Sequence, residues 1–273
     1  MNIFEVLLIK PLANGLILFY RILGGNLGVA IIGFSLFLRF ILNPLTKPYM
    51  KSMQRMKELT PQLEKIKSKF KGDKMKLAQA QAELYKQNKV NPSSGCLPYI
   101  LQIVVLIAFF NVFTQTLTPD GNPAERFNKL LYEPLKFTQE QNINTRFLYL
   151  DVTKPDVFHI SLIPFKLPGP ILILAALIQF LSSKLMMPQV NQESKIAKKT
   201  KQSTDDLQVA MQKSMVYTFP LFTIIFGMSF PSGLAIYWLL FSLWQFLQQY
   251  QTNGWGALKP LIEKFGLIKE NTK

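Results

Sequence analysis

The sequence predicts an all-α polytopic membrane protein, and three observations carry that prediction. Apolar residues make up 49% of the chain and charged residues only 17%, fewer charges than the roughly 25% of an ordinary soluble domain. Five long apolar runs contain no Asp, Glu or His, and a run of about 20 residues suffices to cross about 30 Å of hydrocarbon. The cationic excess, 31 Lys and Arg against 16 Asp and Glu for a net charge of +15, falls mostly between those runs. A basic chain suits either nucleic acid or an anionic membrane face. Long uncharged stretches are unexpected in a soluble nucleic-acid-binding domain, so the membrane is the better partner.

Residues 1–23 are apolar but interrupted by Lys10-Pro11 and Asn14-Gly15. Proline removes a helix donor and a lysine is costly at depth. The segment is expected to be an amphipathic helix lying in the interface, with a true span as the open alternative. It has neither a basic start nor a small-x-small site, so a removable signal peptide is not expected. Gly24-Gly25-Asn26 then breaks the chain, and residues 24–43 hold the first span, which Asn43-Pro44 should end.

Residues 44–96 change character, with 12 Lys and Arg against 4 Asp and Glu. Leu59, Leu63, Ile66 and Phe70 trace a narrow helical seam. Thr60-Pro61-Gln62-Leu63-Glu64 reads as a helix start with Thr60 at the N-cap, and Gly72-Asp73 as a turn. A basic cytoplasmic helical hairpin results, although a solvated linker pair of helices would look the same. Residues 97–117 form the second span, 118–167 a polar extracytoplasmic loop with 6 basic and 6 acidic residues, and 168–187 the third span. Residues 188–213 are a second basic cytoplasmic loop. Residues 214–250 hold the fourth and fifth spans around the turn Phe230-Pro231-Ser232-Gly233, and 251–273 a lysine-bearing tail. The Lys and Arg bias places the hairpin, the second loop and the tail in the cytoplasm, and five spans then put the N-terminus outside.

Candidate chemistry is narrow. Spans without carboxylate or histidine do not fit a proton pump, a carboxylate-gated transporter or an intramembrane aspartyl or zinc protease. No Walker-type phosphate loop is present. Ser35 and Arg39 share a helix face, but a guanidinium stays protonated and is no general base. Cys96 is the single cysteine and His159 the single histidine, so neither a disulfide nor a His/Cys metal cluster is expected. What remains is Arg39 and the neutral residues Ser35, Gln102, Asn111, Thr114, Gln115, Gln179, Ser182, Ser183, Ser229, Ser242 and Gln245. The neutral groups serve either as interhelical hydrogen bonds or, collectively, as the lining of a wet cavity. Tyr237, Trp238 and Trp244 suit packing or interface anchoring. Arg39 itself is either a cation snorkelling to the headgroups or a functional charge; spacing does not choose.

Three stretches resemble a known family: Leu38-Arg39-Phe-Ile-Leu-Asn-Pro44, Asn91-Pro-Ser-Ser-Gly95-Cys96-Leu97-Pro98 through Gln102, and Phe230-Pro231-Ser232-Gly233 through Tyr237-Trp238. In this order, with the Met50–Leu63 stretch, they are similar to the YidC/Oxa/Alb membrane protein insertases over nearly the whole chain, in a compact five-span form. The resemblance implies five helices around a hydrophilic groove open to the cytoplasm and lipid. Arg39 would lie in that groove, with Ser35 one turn before it and Gln102, Tyr237 and Trp238 contributing to the substrate contact. It implies no enzyme activity and no cofactor. Nascent membrane-protein segments would be the substrates and lipids, the Sec translocon and the ribosome (weakly, through the basic segments) the partners, in a bacterial plasma membrane. Many family members carry Asn where this chain has Ser242, so a polar contact there is weakened or changed. The rival from another class is a small-solute transporter or channel, which the absent carboxylates and repeats disfavour.

Overall fold

A computed structural model describes residues 2–70, 72–91, 97–117, 121–138, 141–161, 164–186, 204–259 and 262. The Pro92–Cys96 part of the second motif, most of the loop at 188–213 and most of the tail after 259 lie outside the described residues. The chain is mostly helical. Its helices are α1 Lys10–Ile22, α2 Leu27–Glu58, α3 Thr60–Lys69, α4 Lys74–Gln87, α5 Leu97–Thr116, α6 Pro123–Asn128, α7 Pro170–Met186, α8 Thr204–Gly227 and α9 Ser232–Asn253. Among the described residues one helical stretch, Leu27–Pro48, is long and apolar enough to cross a bilayer. Ile103–Thr116, Pro170–Leu185 and Val216–Gly227 are shorter apolar helices.

The first segment departs from expectation in how it handles its polar residues. A π-helical turn, Glu5–Ile9, runs directly into α1. Lys10 donates its amide five residues back to Glu5, and Pro11 sits in the first turn of α1, where a missing N–H costs little. Asn14 does not break the helix. It is buried, donates to the carbonyls of Lys10 (2.8 Å) and Leu130 (3.0 Å), and accepts from the Tyr132 amide (2.7 Å). Gly15 lets α1 approach α2, since a Cβ there would stand 2.5 Å from the Phe34 ring. Gly24 and Gly25, both at positive φ, make the turn into α2.

Helix α2 also overrides its punctuation. Asn43-Pro44 was expected to end the span, yet the helix continues through Pro44 and Pro48 to Glu58. Both prolines lie on the exposed face, four residues apart. The carbonyls they leave without N–H partners therefore open to the surroundings rather than into packing. Thr46 adds a local bond, its hydroxyl donating to the carbonyls of Leu42 (3.2 Å) and Asn43 (3.1 Å). Helix α3 begins with Leu59, not Thr60, at the N-cap and without a side-chain cap. Asp73 caps α4 by accepting from the Lys76 amide at 3.0 Å. The two short helices share a small core of Leu59, Leu84 and Val90, separate from the main one.

The described residues of 118–167, expected as a polar loop, form a packed cap. It contains α6, a 3-10 turn at Glu133–Leu135 and two short antiparallel hairpins, β1 Arg146–Phe147 with β2 Leu150–Asp151 and β3 Val157–Phe158 with β4 Leu167–Pro168. Phe127, Leu130, Leu131, Ile143, Leu150 and Val152 enter the main core beside Leu16, Ile31, Phe109 and Phe113. Backbone bonds fasten the cap to the helix ends. The Leu27 amide donates to Asn144 O (2.9 Å), Ser232 N to Lys154 O (2.7 Å) and Gly233 N to Val152 O (3.1 Å). Arg21 donates to the carbonyls of Pro134, Leu135 and Lys136 at 2.8–3.2 Å.

Buried Asp156 closes the start of α7. It accepts from the Leu172 amide (2.9 Å) and the Tyr149 hydroxyl (3.0 Å), and Tyr149 in turn accepts from Ile171 N (3.2 Å). Burial pushes the Tyr149 phenol up to about 12, the Asp156 carboxylate adding to the rise and the Ile171 amide opposing it. Burial also raises the Asp151 carboxyl, but bonds from Thr153 and Thr145 and the Lys154 charge outweigh it and hold that group below its ordinary value.

Helices α2, α7 and α9 all leave the cap in the same direction. Helix α7 packs along α9, with the small residues Ala175, Ala176 and Ser182 buried on one side and Ala235 and Ser242 on the other, seven residues apart, a spacing that buried Gln249 continues. Small side chains let two helix backbones approach closely.

Candidate functional site

The arrangement around Arg39 follows from helix phase. Tyr237, Phe241 and Gln248 recur on one stripe of α9 at intervals of four and seven residues, the stripe that faces α2. Arg39, on α2, places its guanidinium carbon 3.9 Å from the centroid of the Phe241 ring. Tyr237 is within electrostatic reach of it, and the Tyr237 ring stacks on Phe109 of α5 at 4.3 Å and 22°. One turn farther from the cap, Gln248 donates to Asn43 Oδ1 at 2.8 Å. The cation thus lies between α2 and α9, with α5 reaching it only through the Tyr237 ring.

That cation has no carboxylate partner among the described residues. One terminal nitrogen of Arg39 is buried without a hydrogen-bond partner, and so is Ser242 Oγ on α9. An unpaired buried donor costs about 1–3 kcal/mol, more when charged, and such groups in native proteins call for an explanation. The ring face of Phe241 offsets part of this cost, on the order of 2 kcal/mol for a desolvated cation–π contact.

The other sequence candidates fall in different places. Ser35 is buried one turn before Arg39, but its hydroxyl donates to its own helix at Ile31 O (2.5 Å). Gln102 lies on α5, with its side chain outside the described residues. Tyr237 and Trp238 do not act as a pair. Adjacent helical residues point about 100° apart, so Tyr237 faces inward while Trp238 lines an apolar cleft of about 200 Å³ with Leu106, Phe110, Phe226 and Phe230. Several neutral polar groups bond back to their own helix four residues earlier, among them Asn111, Thr114 and Ser183. Gln179 and Ser182 instead bridge helices: Thr223 of α8 donates to Gln179 Oε1 at 2.7 Å, and Ser182 to Gln249 Oε1 of α9 at 3.2 Å.

Sequence reasoning missed Phe241, Asn43, Thr223, Gln248 and Gln249. For Phe241 and Gln248 the signal was available, because they share the helical stripe of Tyr237. For the others nothing in residue type separates a bridging polar side chain from a surface one.

The sequence profile of the family described as 60Kd inner membrane protein matches residues 18–257. A Fusobacterium nucleatum protein named membrane protein insertase YidC is 34% identical over 226 residues, covering 83% of this chain and 85% of its own length. Proteins of the same name from Methylobacterium sp. and Syntrophobacter fumaroxidans are each 31% identical. They cover 95% and 89% of this chain, which spans 38% and 37% of their own lengths.

Proposed function

The chain belongs to the 60Kd inner membrane protein family, and from that premise we propose that it is a membrane protein insertase. It makes and breaks no covalent bond. It lowers the cost of moving hydrophobic segments with polar flanks from the cytoplasm into the bilayer, and assists their folding there. Helices α2, α5, α7, α8 and α9 each cross the membrane once, with the cap on the outer face and the α3–α4 hairpin in the cytoplasm. Exposed apolar side chains on these helices, including Phe40, Ile107, Leu177 and Leu221, fit a lipid-facing surface, and the basic bias of the cytoplasmic segments fits the orientation. Helix α1 lies at the outer interface, its inward face held by the cap through Asn14 and Arg21.

One observation carries the mechanism: a half-buried guanidinium with one buried nitrogen that has no hydrogen-bond partner and no counter-ion among the described residues. Every unmet polar group costs several kcal/mol in hydrocarbon. A cation held partway into the bilayer offers an acidic or carbonyl-rich flank a partner during its crossing, and low dielectric strengthens that attraction. Arg39 supplies the charge, Tyr237 and Phe241 fix its position, and the apolar cleft lined by Trp238 is a separate surface for the hydrophobic part of the substrate. Nascent membrane proteins and lipids are the partners, with the Sec translocon a further partner and the ribosome met weakly through the basic cytoplasmic segments.

The test is complementation of an insertase-depleted strain. Arg39→Ala is expected to reduce insertion of substrates with acidic translocated tails about tenfold, as for loss of one charge-assisted contact, with Arg39→Lys retaining much of the activity. Unchanged insertion of several acidic-tail substrates by Arg39→Ala would overturn the role of the arginine.

A further inference from the structure

We propose that the β3–β4 hairpin of the cap is an amphipathic element that lies in the headgroup region of the outer leaflet, with one face against lipid. The pairing of Val157 with Pro168 and of Phe158 with Leu167 fixes the register. Side chains alternate faces along a strand. Phe158 and Leu167 are directly paired and therefore share a face. On this proposal the exposed Ile160 and Phe165, each two residues away in the chain, turn the same way, and His159 and Lys166 turn the other. Four apolar residues would then stand against a polar side with a cation.

The apolar face is not consumed by the fold. Phe158, Ile160 and Phe165 are 46%, 43% and 61% exposed. Nor is it isolated. The Phe158 ring stacks on Tyr149 at 6.2 Å and 21°, and the Tyr149 hydroxyl accepts from the amide of Ile171, the second residue of α7. The outward side of α7 continues directly with Ile173, Leu174 and Leu177, all exposed. One apolar strip thus runs from the side of α7 across Tyr149 to the hairpin.

That continuity selects the occupant. This inference rests on α7 crossing the bilayer, and whatever covers Leu174 and Leu177 then reaches Tyr149 and Phe158 without interruption. Aromatic rings on the apolar side and a lysine on the other are the composition that partitions to the headgroup level. The lipid contact holds the cap against the membrane plane beside the start of α7. A second copy of the chain or a protein partner would also cover apolar rings, and the experiment separates these cases.

The full chain carries one cysteine, Cys96, so Cys96→Ser gives a background for single nitroxide labels at Phe165→Cys, Lys166→Cys and Leu174→Cys. The protein is reconstituted in phosphatidylethanolamine/phosphatidylglycerol liposomes, and label collisions with oxygen and with a water-soluble nickel chelate are compared. The expected result is an oxygen-to-nickel ratio at 165 about threefold or more above that at 166, with 174 higher still. Equal ratios at 165 and 166, with 174 remaining in lipid, would overturn the inference and leave the membrane reading intact. Nickel access at 174 as well would overturn both. Shielding of 165 from both reagents would overturn the inference in favour of protein cover, and spin–spin broadening relieved by unlabelled protein would identify that cover as a second copy.

Discussion

The two ends of the helix bundle are held by different kinds of bond. At the cap end, main-chain amides of Leu27, Leu172, Ser232 and Gly233 are each taken by an acceptor in the cap. Away from the cap, the described contacts between helices are side chain to side chain: Asn43 with Gln248, Ser182 with Gln249, Gln179 with Thr223. A helix whose first amides are fixed cannot shift without leaving buried donors unmet, a large penalty. Side-chain bonds between membrane helices average only about 0.6 kcal/mol, because the separated groups find other partners. The contrast describes a bundle clamped at one end and able to exchange partners at the other, and the unpaired donor of Arg39 belongs to the exchangeable part.

Breaking the clamp should have the largest effect. Asp156→Ala leaves the buried Leu172 amide and the Tyr149 hydroxyl without their acceptor, and should cost about 3 kcal/mol. Thermal unfolding in detergent measures it; a loss below about 1 kcal/mol would mean the cap is not the stable end. Arg39→Leu should go the other way. Removing an unpaired buried charge is expected to raise stability by about 1 kcal/mol, while insertion of acidic-tail substrates falls, so the melt and the insertion assay should move in opposite directions. Gln248→Ala should cost only about 0.6 kcal/mol. A cost near that of Asp156→Ala would erase the contrast between the ends.

The smallest effect is that of pH on the cap. Asp151 has a folded pKa below its ordinary value, so its contribution is present above about pH 4 and lost as pH falls through the lower folded value. Tyr149 is raised, so its contribution is present below its ordinary pKa near 10 and lost as pH rises toward about 12. Both groups are largely solvated, which keeps each effect small. Melting temperatures should therefore form a plateau between those limits, and a midpoint that changes steadily between pH 6 and 9 would point to other groups.

Helices were legible wherever an apolar run was long. The breaks assigned by local rules were less secure. Asn43-Pro44 and Asn14-Gly15 carry ordinary stop signals, but the first lies on a face where freed carbonyls have room, and the second supplies a buried bridge and a close helix approach. Neither context is visible in sequence. The cap was opaque for another reason: its strands are two residues long, too short for any alternation to register. Arg39 stood out by charge contrast alone, whereas the separation of Tyr237 from Trp238 required knowing which stripe of α9 meets α2. The Pro92–Cys96 part of the second motif and the Gln102 side chain lie outside the described residues.

The uninterrupted course of α2 has a mechanical consequence. At about 1.5 Å per residue its 32 residues make a rod of about 48 Å. One end is fastened to Asn144 in the cap and the other leads into the α3–α4 hairpin. Pro44 and Pro48 remove two rungs of the ladder from one side of the rod, so it bends most readily there and in a fixed direction. A load on the hairpin is then taken up as flexure across residues 40–48, the stretch that the two missing rungs span, directly beside Arg39.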